Sequence, residues 1–274
     1  MLVVPVVVGS LLTAATWRNG LLLLAWLAAY LAFHATGLWL RAARRARYWP
    51  AVRAYGVLVA VLGGALVASA PALLRWAPVY AVLLATSLWC SARRADRSWL
   101  NDAVTVAAAM LMTIVAAGLG HSGAPSAVAP LGATWVPPGA GDPAAWAVTA
   151  VLAAYFLGTV PYVKTLIRSR GDAHVLRVSI GYHLALVVLA VCVAADELAD
   201  VARYGSGGVD PAGVWAAALL VVVALGLLAR AVLVPRRRPW PSAKSIGLGE
   251  IAATIVVTIA ALLTPALLAA PQAV

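Results

Sequence analysis

The chain has 274 residues, of which 64% are hydrophobic and only 11% are charged. A soluble domain carries about 25% charged residues, so this composition excludes the class of water-soluble globular proteins. The net charge is +11 at pH 7. Because no polar domain that reads nucleic acid accompanies this charge, it indicates membrane lipids of an anionic inner leaflet as partners, with no nucleic acid.

Apolar segments follow one another from the first residue to the last. A membrane-spanning helix needs ~20 apolar residues, and the ~10-residue alternating segments of a β-barrel are absent. We therefore predict an all-α, polytopic membrane helix bundle of about nine transmembrane helices, forming a single domain over residues 1–274. The predicted spans are 1–16, 20–40, 51–70, 75–91, 100–120, 144–163, 174–195, 211–234 and 246–269.

The cations alternate sharply along this series of spans. Connections 2–3, 4–5, 6–7 and 8–9, with the adjoining helix ends, hold 17 of the 20 lysines and arginines. By the positive-inside rule these connections are cytoplasmic. We predict a multi-pass protein of the bacterial inner membrane, with a cytoplasmic N-terminus and the C-terminus outside.

Polar side chains within the spans lie mostly in the halves that this topology places toward the cytoplasm. They include His34, Asn101, Asp102, His183 and Glu250. Ionisable groups inside a membrane are costly and are candidates for function. Carboxylates cannot snorkel as long cations do, so we predict a polar cavity open to the cytoplasm in which they pair with cations.

The segment "YVKTLIRSRGDAHVLR" (162–177) carries four cations between two apolar runs. Lys164 and Arg168 are four residues apart and share one helical face, so we predict that they line the cavity near Asn101 and Asp102. The other candidate cations for an anionic head group are Arg170, Arg177, Arg93 and Arg94. The alternative is that all of these cations are membrane anchors, as cytoplasmic loops are generally basic.

Each candidate acid or base also has a structural explanation. Asp102 lies in the first turn of its helix, where a carboxylate caps free N–H groups. Glu250 is predicted to pair with Lys244 or Arg230, and His183 to be a buried, hydrogen-bonded histidine. No Cys or His spacing indicates a metal site, and we predict neither a metal nor a cofactor.

Several motifs resemble the YwiC-like family of bacterial membrane proteins. They are "MLVVPVVVG", "RYWPAVRAYG", "RSWLNDAVTVAAA", "YVKTLIRSRG", "GYHLAL" and "KSIGLGEI", and the likeness runs from residue 1 to about 255. Family members usually carry a His-Gly-Ala-Trp segment just before the position of Met1. Its absence, with an apolar run that starts at Met1 itself, predicts an upstream segment in the native protein. The resemblance implies a membrane bundle without naming a reaction.

A second resemblance is to the UbiA prenyltransferases, which also have nine spans and a cytoplasm-facing cavity. Their Asp-rich motifs hold Mg²⁺, whereas the two matching loops here contain Asp172 as their one carboxylate. Mg²⁺ needs carboxylate oxygens, so the metal chemistry does not carry over. Arginine and lysine at the same positions are suited to binding a phosphate directly.

Three classes of function remain open at this stage. The first, which we favour, is a protein that binds or modifies an anionic lipid or isoprenoid-like substrate. In it Lys164, Arg168, Arg170, Arg177, Arg93, Arg94, Asn101 and His34 bind the substrate, and Asp102, His183 or Glu250 acts as acid or base. The second is a transporter, and the third is a non-catalytic membrane assembly subunit. The sequence leaves open whether the protein is an enzyme, and it also leaves the oligomeric state open.

Overall fold

The computed structural model describes residues 1–120, 127–128, 130–205 and 208–269. Within these residues it contains nine α-helices and no strand. The helices are α1 (Val4–Leu12), α2 (Trp17–Arg41), α3 (Trp49–Ser69), α4 (Ala77–Ala92), α5 (Trp99–Gly120), α6 (Pro143–Ile167), α7 (Ala173–Tyr204), α8 (Pro211–Leu233) and α9 (Ala243–Leu263).

The helices α2 to α9, some with an adjoining 3₁₀ turn, form eight segments long and apolar enough to cross a membrane. Helix α1 has nine residues, about 14 Å at 1.5 Å per residue, and is shorter than the ~30 Å hydrocarbon core. The prediction of an all-α membrane bundle is confirmed, and the chain is a multi-pass membrane protein. The prediction that residues 1–16 span the membrane is therefore wrong, because α1 is too short to cross.

The chain divides into two compact units, Met1–Thr149 and Ala150–Val274. In the first, α5 forms the centre, with Ile114, Ala116 and Ala117 fully buried. Helix α1 packs on α5 so closely that a Cβ at Gly9 would lie 2.1 Å from the carbonyl oxygen of Thr113. Helices α2 and α4 pack on α5, and α3 packs on α2.

The connection between α5 and α6 is irregular, as predicted, over the part that the structure describes. One short 3₁₀ turn, Leu131–Ala133, interrupts it. Arg75 donates to the carbonyl oxygens of Pro130, Leu131 and Val136 at 2.8–3.2 Å. Trp76 donates its indole N–H to the carbonyl oxygen of Pro138 at 3.0 Å. These bonds hold the connection against the start of α4.

The second unit contains α7, α8, α9 and the part of α6 from residue 150 onward. Helices α7 and α8 pack along their length, and α9 packs on α8. Helix α6 passes close to α7 at Gly158, where a Cβ would lie 2.8 Å from the ring of Tyr182. Only glycine allows this approach, and the approach brings the His183 region against α6.

Helix α7 is longer than the sequence predicted, ending at Tyr204 and not near 195. Hydropathy falls after 195, but Ala, Asp, Glu and Leu continue the helix because all of them are compatible with it. The residue that follows the helix and caps it is Gly205, whose φ of +76° suits a residue without a Cβ. At the other end the Asp172 carboxylate accepts from the backbone N–H groups of His174 and Val175 at 2.8 and 3.3 Å.

Candidate functional site

An apolar cavity of about 520 Å³ lies within the first unit, among α2, α3, α4 and α5. Its wall is almost entirely aliphatic and aromatic, with polar atoms from a few tyrosines and hydroxyl residues. Representative lining residues are Leu22, Ala29, Phe33, Leu84 and Met112. This volume is within the range of about 300–1,000 Å³ that is typical of small-molecule sites.

A polar network touches this cavity at Ser87. Ser87 is a lining residue of the cavity, and its hydroxyl donates to Oδ1 of Asn101 at 2.6 Å. Nδ2 of Asn101 donates to the carbonyl oxygen of Asp96 at 2.8 Å. Asn101 is buried, and these two bonds use both ends of its amide.

The network continues to an ion pair at the ends of α2 and α4. The Asp96 carboxylate accepts from the Ser91 hydroxyl at 2.7 Å and pairs with Arg41 at 3.2 Å. We call Arg41, Ser87, Ser91, Asp96 and Asn101 the Asn101 network. The sequence analysis named Asn101 but missed Asp96. This carboxylate lies inside the basic stretch "RRADR", in which only the cations were considered.

The remaining sequence-predicted residues of the first unit lie around this network. Arg93 and Arg94 are exposed, and the Arg93 guanidinium lies 5.2 Å from the ring centroid of Trp89. His34 is exposed and stacks on Tyr30, with 6.4 Å between ring centroids. Asp102 is half-buried.

A serine side chain caps the start of α5. The Ser98 hydroxyl accepts from the backbone N–H of Asn101 at 3.2 Å, in the position of an N-cap side chain. The backbone N–H of Asp102 donates to the carbonyl oxygen of Ser98 at 3.1 Å, as the first regular helical bond of this turn. Ser98 therefore supplies one capping oxygen, which the sequence analysis did not name. Asp102 lies in the first turn, as predicted, and its own capping role stays a prediction.

The second unit contains a polar cluster built on α6, α8 and α9. Glu250 pairs with Arg230 at 2.5 Å, which confirms one of the two partners expected for it. The hydroxyls of Tyr155 and Thr159 lie 3.2 and 3.3 Å from Oε2 of Glu250. The side chains of Arg230 and Glu250 are only 14% and 19% exposed, so the pair is largely removed from solvent.

The orientation of Arg230 is fixed from two directions. Its Nη1 donates to Oε1 of Glu250, and its guanidinium carbon lies 4.1 Å from the ring centroid of Tyr162. Its Nε and Nη2 are buried and have no hydrogen-bond partner among the described residues. We call Tyr155, Thr159, Tyr162, Arg230 and Glu250 the Glu250 cluster.

His183 occupies the predicted environment of a buried, hydrogen-bonded histidine. It is 1% exposed, and its Nδ1 lies 2.7 Å from the carbonyl oxygen of Ser179. Because a carbonyl oxygen only accepts, Nδ1 carries the proton in the neutral ring and Nε2 is the free acceptor. Nε2 lies 3.3 Å from the position of a Cβ at Gly158. The role of His183 as an acid or base stays a prediction.

The four cations of residues 162–177 differ in exposure. Lys164 is half-buried, whereas Arg168, Arg170 and Arg177 are exposed. Nε of Arg170 donates to the carbonyl oxygen of Leu166, and Nε of Arg177 to that of Ala173. These are bonds within one turn of chain, such as an anchoring cation makes. The predicted convergence of Lys164 and Arg168 with Asn101 and Asp102 joins residues of different units and stays a prediction.

No group of three or more His, Cys, Asp or Glu residues that could hold a metal ion occurs in the described part of the chain. Asp172, the carboxylate of interest in the loop between α6 and α7, caps α7 through two backbone N–H groups. Its position is therefore explained by helix capping.

The similarity to known proteins is found in the first unit. Residues 1–117 match the YwiC-like protein family. The match covers α1 to α4 and most of α5, including the YwiC-like "ND" at Asn101 and Asp102, and "YVKTLIRSRG" lies beyond it. No curated protein and no solved structure matches the chain. The architectural resemblance to UbiA prenyltransferases therefore stays a prediction.

Proposed function

We propose that this protein of the bacterial inner membrane binds the hydrocarbon chain of an anionic lipid or isoprenoid-like molecule in its first unit. The observation that carries the proposal is the 520 Å³ cavity with its apolar wall. An apolar wall inside a membrane requires no hydrogen bonds from water. A hydrocarbon chain can therefore fill this cavity without leaving a polar group unpaired.

The polarity of the ligand follows from the helix ends beside the cavity. Thr36 and Ser87 line the cavity, and Arg41 and Arg93 follow them by five and six residues. At 1.5 Å per residue these cations stand about 8–9 Å further along α2 and α4. Guanidinium groups bind phosphate and carboxylate through paired N–H donors. A ligand with its tail in the cavity thus meets cations at its head.

Of the two activities considered, these observations favour binding over modification. Within the Asn101 network, Ser87 and Asn101 link the cavity wall to the Arg41–Asp96 pair, and we find in it no unpaired acid or base beside the cavity that would act on a bound ligand. The topology that goes with this proposal has the basic helix ends on the cytoplasmic face and the C-terminus outside. The cytoplasmic N-terminus predicted from the sequence required a crossing by residues 1–16, which α1 lacks the length to make.

Mass spectrometry of lipids that copurify with the protein tests the proposal. Ala29 lines the cavity and is partly buried, so Ala29→Phe places a ring where the chain would lie. We expect the wild type to retain an anionic lipid or isoprenoid-like molecule near one per protein, and A29F to lose at least about five-fold of it.

Ala60 of α3 is exposed and does not line the cavity, so Ala60→Phe is the matched control and should retain the wild-type amount. The thermal midpoints of both variants check that each is folded. Equal lipid content in wild type and A29F, or a lipid content that only mirrors the bulk membrane, would overturn the proposal.

A further inference from the structure

The guanidinium of Arg230 carries an unused pair of donors. Nη1 is bonded to Glu250 and one face lies over Tyr162, while Nε and Nη2 are buried without a partner in the described part of the chain. A buried donor without a partner destabilises a protein by about 1–3 kcal/mol, and more when it is charged. This arrangement therefore calls for an acceptor.

Nε and Nη2 form one edge of the planar guanidinium. Their two N–H bonds are parallel and match the two oxygens of a carboxylate or phosphate, which is why arginine binds these groups in bidentate fashion. Glu250 and Tyr162 hold the plane in one orientation, so little rotamer freedom remains to be lost on binding.

We propose that this edge of Arg230 is a binding site for an oxyanion, a carboxylate or a phosphate. Glu250 neutralises one charge, and the connection that follows α8 supplies others through Arg236, Arg237, Arg238 and Lys244, all of them exposed. Arg230 stands three residues before the end of α8, about 5 Å along the axis. An oxyanion therefore reaches it from that helix end. The site lies wholly within residues 150–274 and does not depend on the lipid cavity proposed above.

The chemistry fits two sources, a free anion or the head of a membrane amphiphile, and the probes separate them. Thermal unfolding of the purified protein in nonionic detergent is followed with inorganic phosphate, acetate, dodecyl phosphate, laurate and, as the neutral reference, dodecanol, all at one ionic strength. A saturable rise in midpoint with phosphate or acetate indicates a free anion. A rise with the amphiphilic anions alone indicates a lipid head group. Either result supports the site.

Arg230→Lys is the deciding variant, because it keeps the charge beside Glu250 and removes the bidentate edge. We expect at least ten-fold weaker apparent affinity for whichever anion binds the wild type. Arg203→Lys makes the same chemical change at an exposed cation in the last turn of α7 and should alter the affinity less than about two-fold.

A second variant keeps the proposal open to refutation if R230K does not fold. Glu250→Gln removes the competing negative charge and should bind the anion several-fold more tightly than the wild type. Anion affinity that is unchanged in R230K, or unchanged or weaker in E250Q, would overturn the site. If none of the anions raises the unfolding midpoint of the wild type, this edge of Arg230 binds only water, and the proposed site is overturned as well.

Discussion

The Asn101 network of the first unit and the Glu250 cluster of the second satisfy their buried polar groups in different ways. In the first, Asn101 is a neutral amide whose acceptor and donor ends are both bonded, to Ser87 and to Asp96. Its associated ion pair, Arg41–Asp96, stands at a helix end with side chains 35% and 23% exposed. In the second, the Arg230–Glu250 pair is more deeply buried and leaves two donors without partners among the described residues.

This difference indicates a division of labour. In the Asn101 network both ends of the buried amide are bonded, so Asn101 joins the end of α4 to the start of α5 beside the apolar cavity without leaving an unused donor. The Arg230 guanidinium is paired in charge with Glu250 but keeps two buried donors unused, and such donors favour an added acceptor because leaving them unbonded is costly. The predictions below test this contrast, in order of decreasing effect on the free energy of unfolding.

The largest effect is expected at the Glu250 cluster. Glu250→Gln leaves the Arg230 charge without its counter-charge in a largely buried site, which should lower the free energy of unfolding by about 3 kcal/mol. Chemical denaturation in detergent measures it. Asp200→Asn is the control, since the Asp200–Arg203 pair is more exposed and should lose only about 0–1 kcal/mol. Losses of the same size in both would show that burial gives the Arg230–Glu250 pair no greater weight than an exposed pair of the same unit.

An intermediate effect is expected in the Asn101 network. Asn101→Ala breaks its bonds to Ser87 and Asp96 inside the protein, for an expected loss of about 2 kcal/mol. Thr86→Ala removes an exposed hydroxyl bonded within its own helix to Val82 and should change the free energy by less than about 0.5 kcal/mol. The same denaturation experiment reports both, and an Asn101 variant as stable as T86A would show that this network is not closed.

The smallest effect is expected at Asp172. Asp172→Ala removes the cap of α7 and should lower the free energy of unfolding by about 1 kcal/mol, whereas Asp172→Asn keeps a capping oxygen and should cost much less. Because we predict no Mg²⁺ there, a chelator should leave the unfolding midpoint of the wild type unchanged. A midpoint that falls on chelation would reassign this carboxylate to a metal.

The membrane class and most helix positions were predictable, because apolar runs and charged connections are local features of the chain. The longer α7 was missed because hydropathy was used to end it near 195, whereas the backbone ends it at Gly205. The Ser98 cap of α5 was missed because several polar residues stand near the helix start, and only the backbone geometry shows which of them reaches a free N–H group.

The partners of the buried groups were only partly predictable. Arg230 was named as one of two possible partners of Glu250, but Tyr155 and Thr159 were not foreseen. Helices that are apolar on nearly all sides give little indication of which face turns inward. The rotation of α6, α8 and α9 about their axes, which brings these side chains together, is therefore a tertiary property that a single sequence does not reveal.

Photo-crosslinking tests the central claim, lipid-chain binding in the first unit, most directly. A long-chain alkyl phosphate with a diazirine at the chain end is equilibrated with the protein, irradiated, and the modified peptides are mapped. We predict labels on cavity-lining residues such as Phe33, Leu84 and Met112 that A29F suppresses and A60F does not. Labels confined to exposed positions such as Val57, Val61 and Val82, equal in all three proteins, would contradict the account.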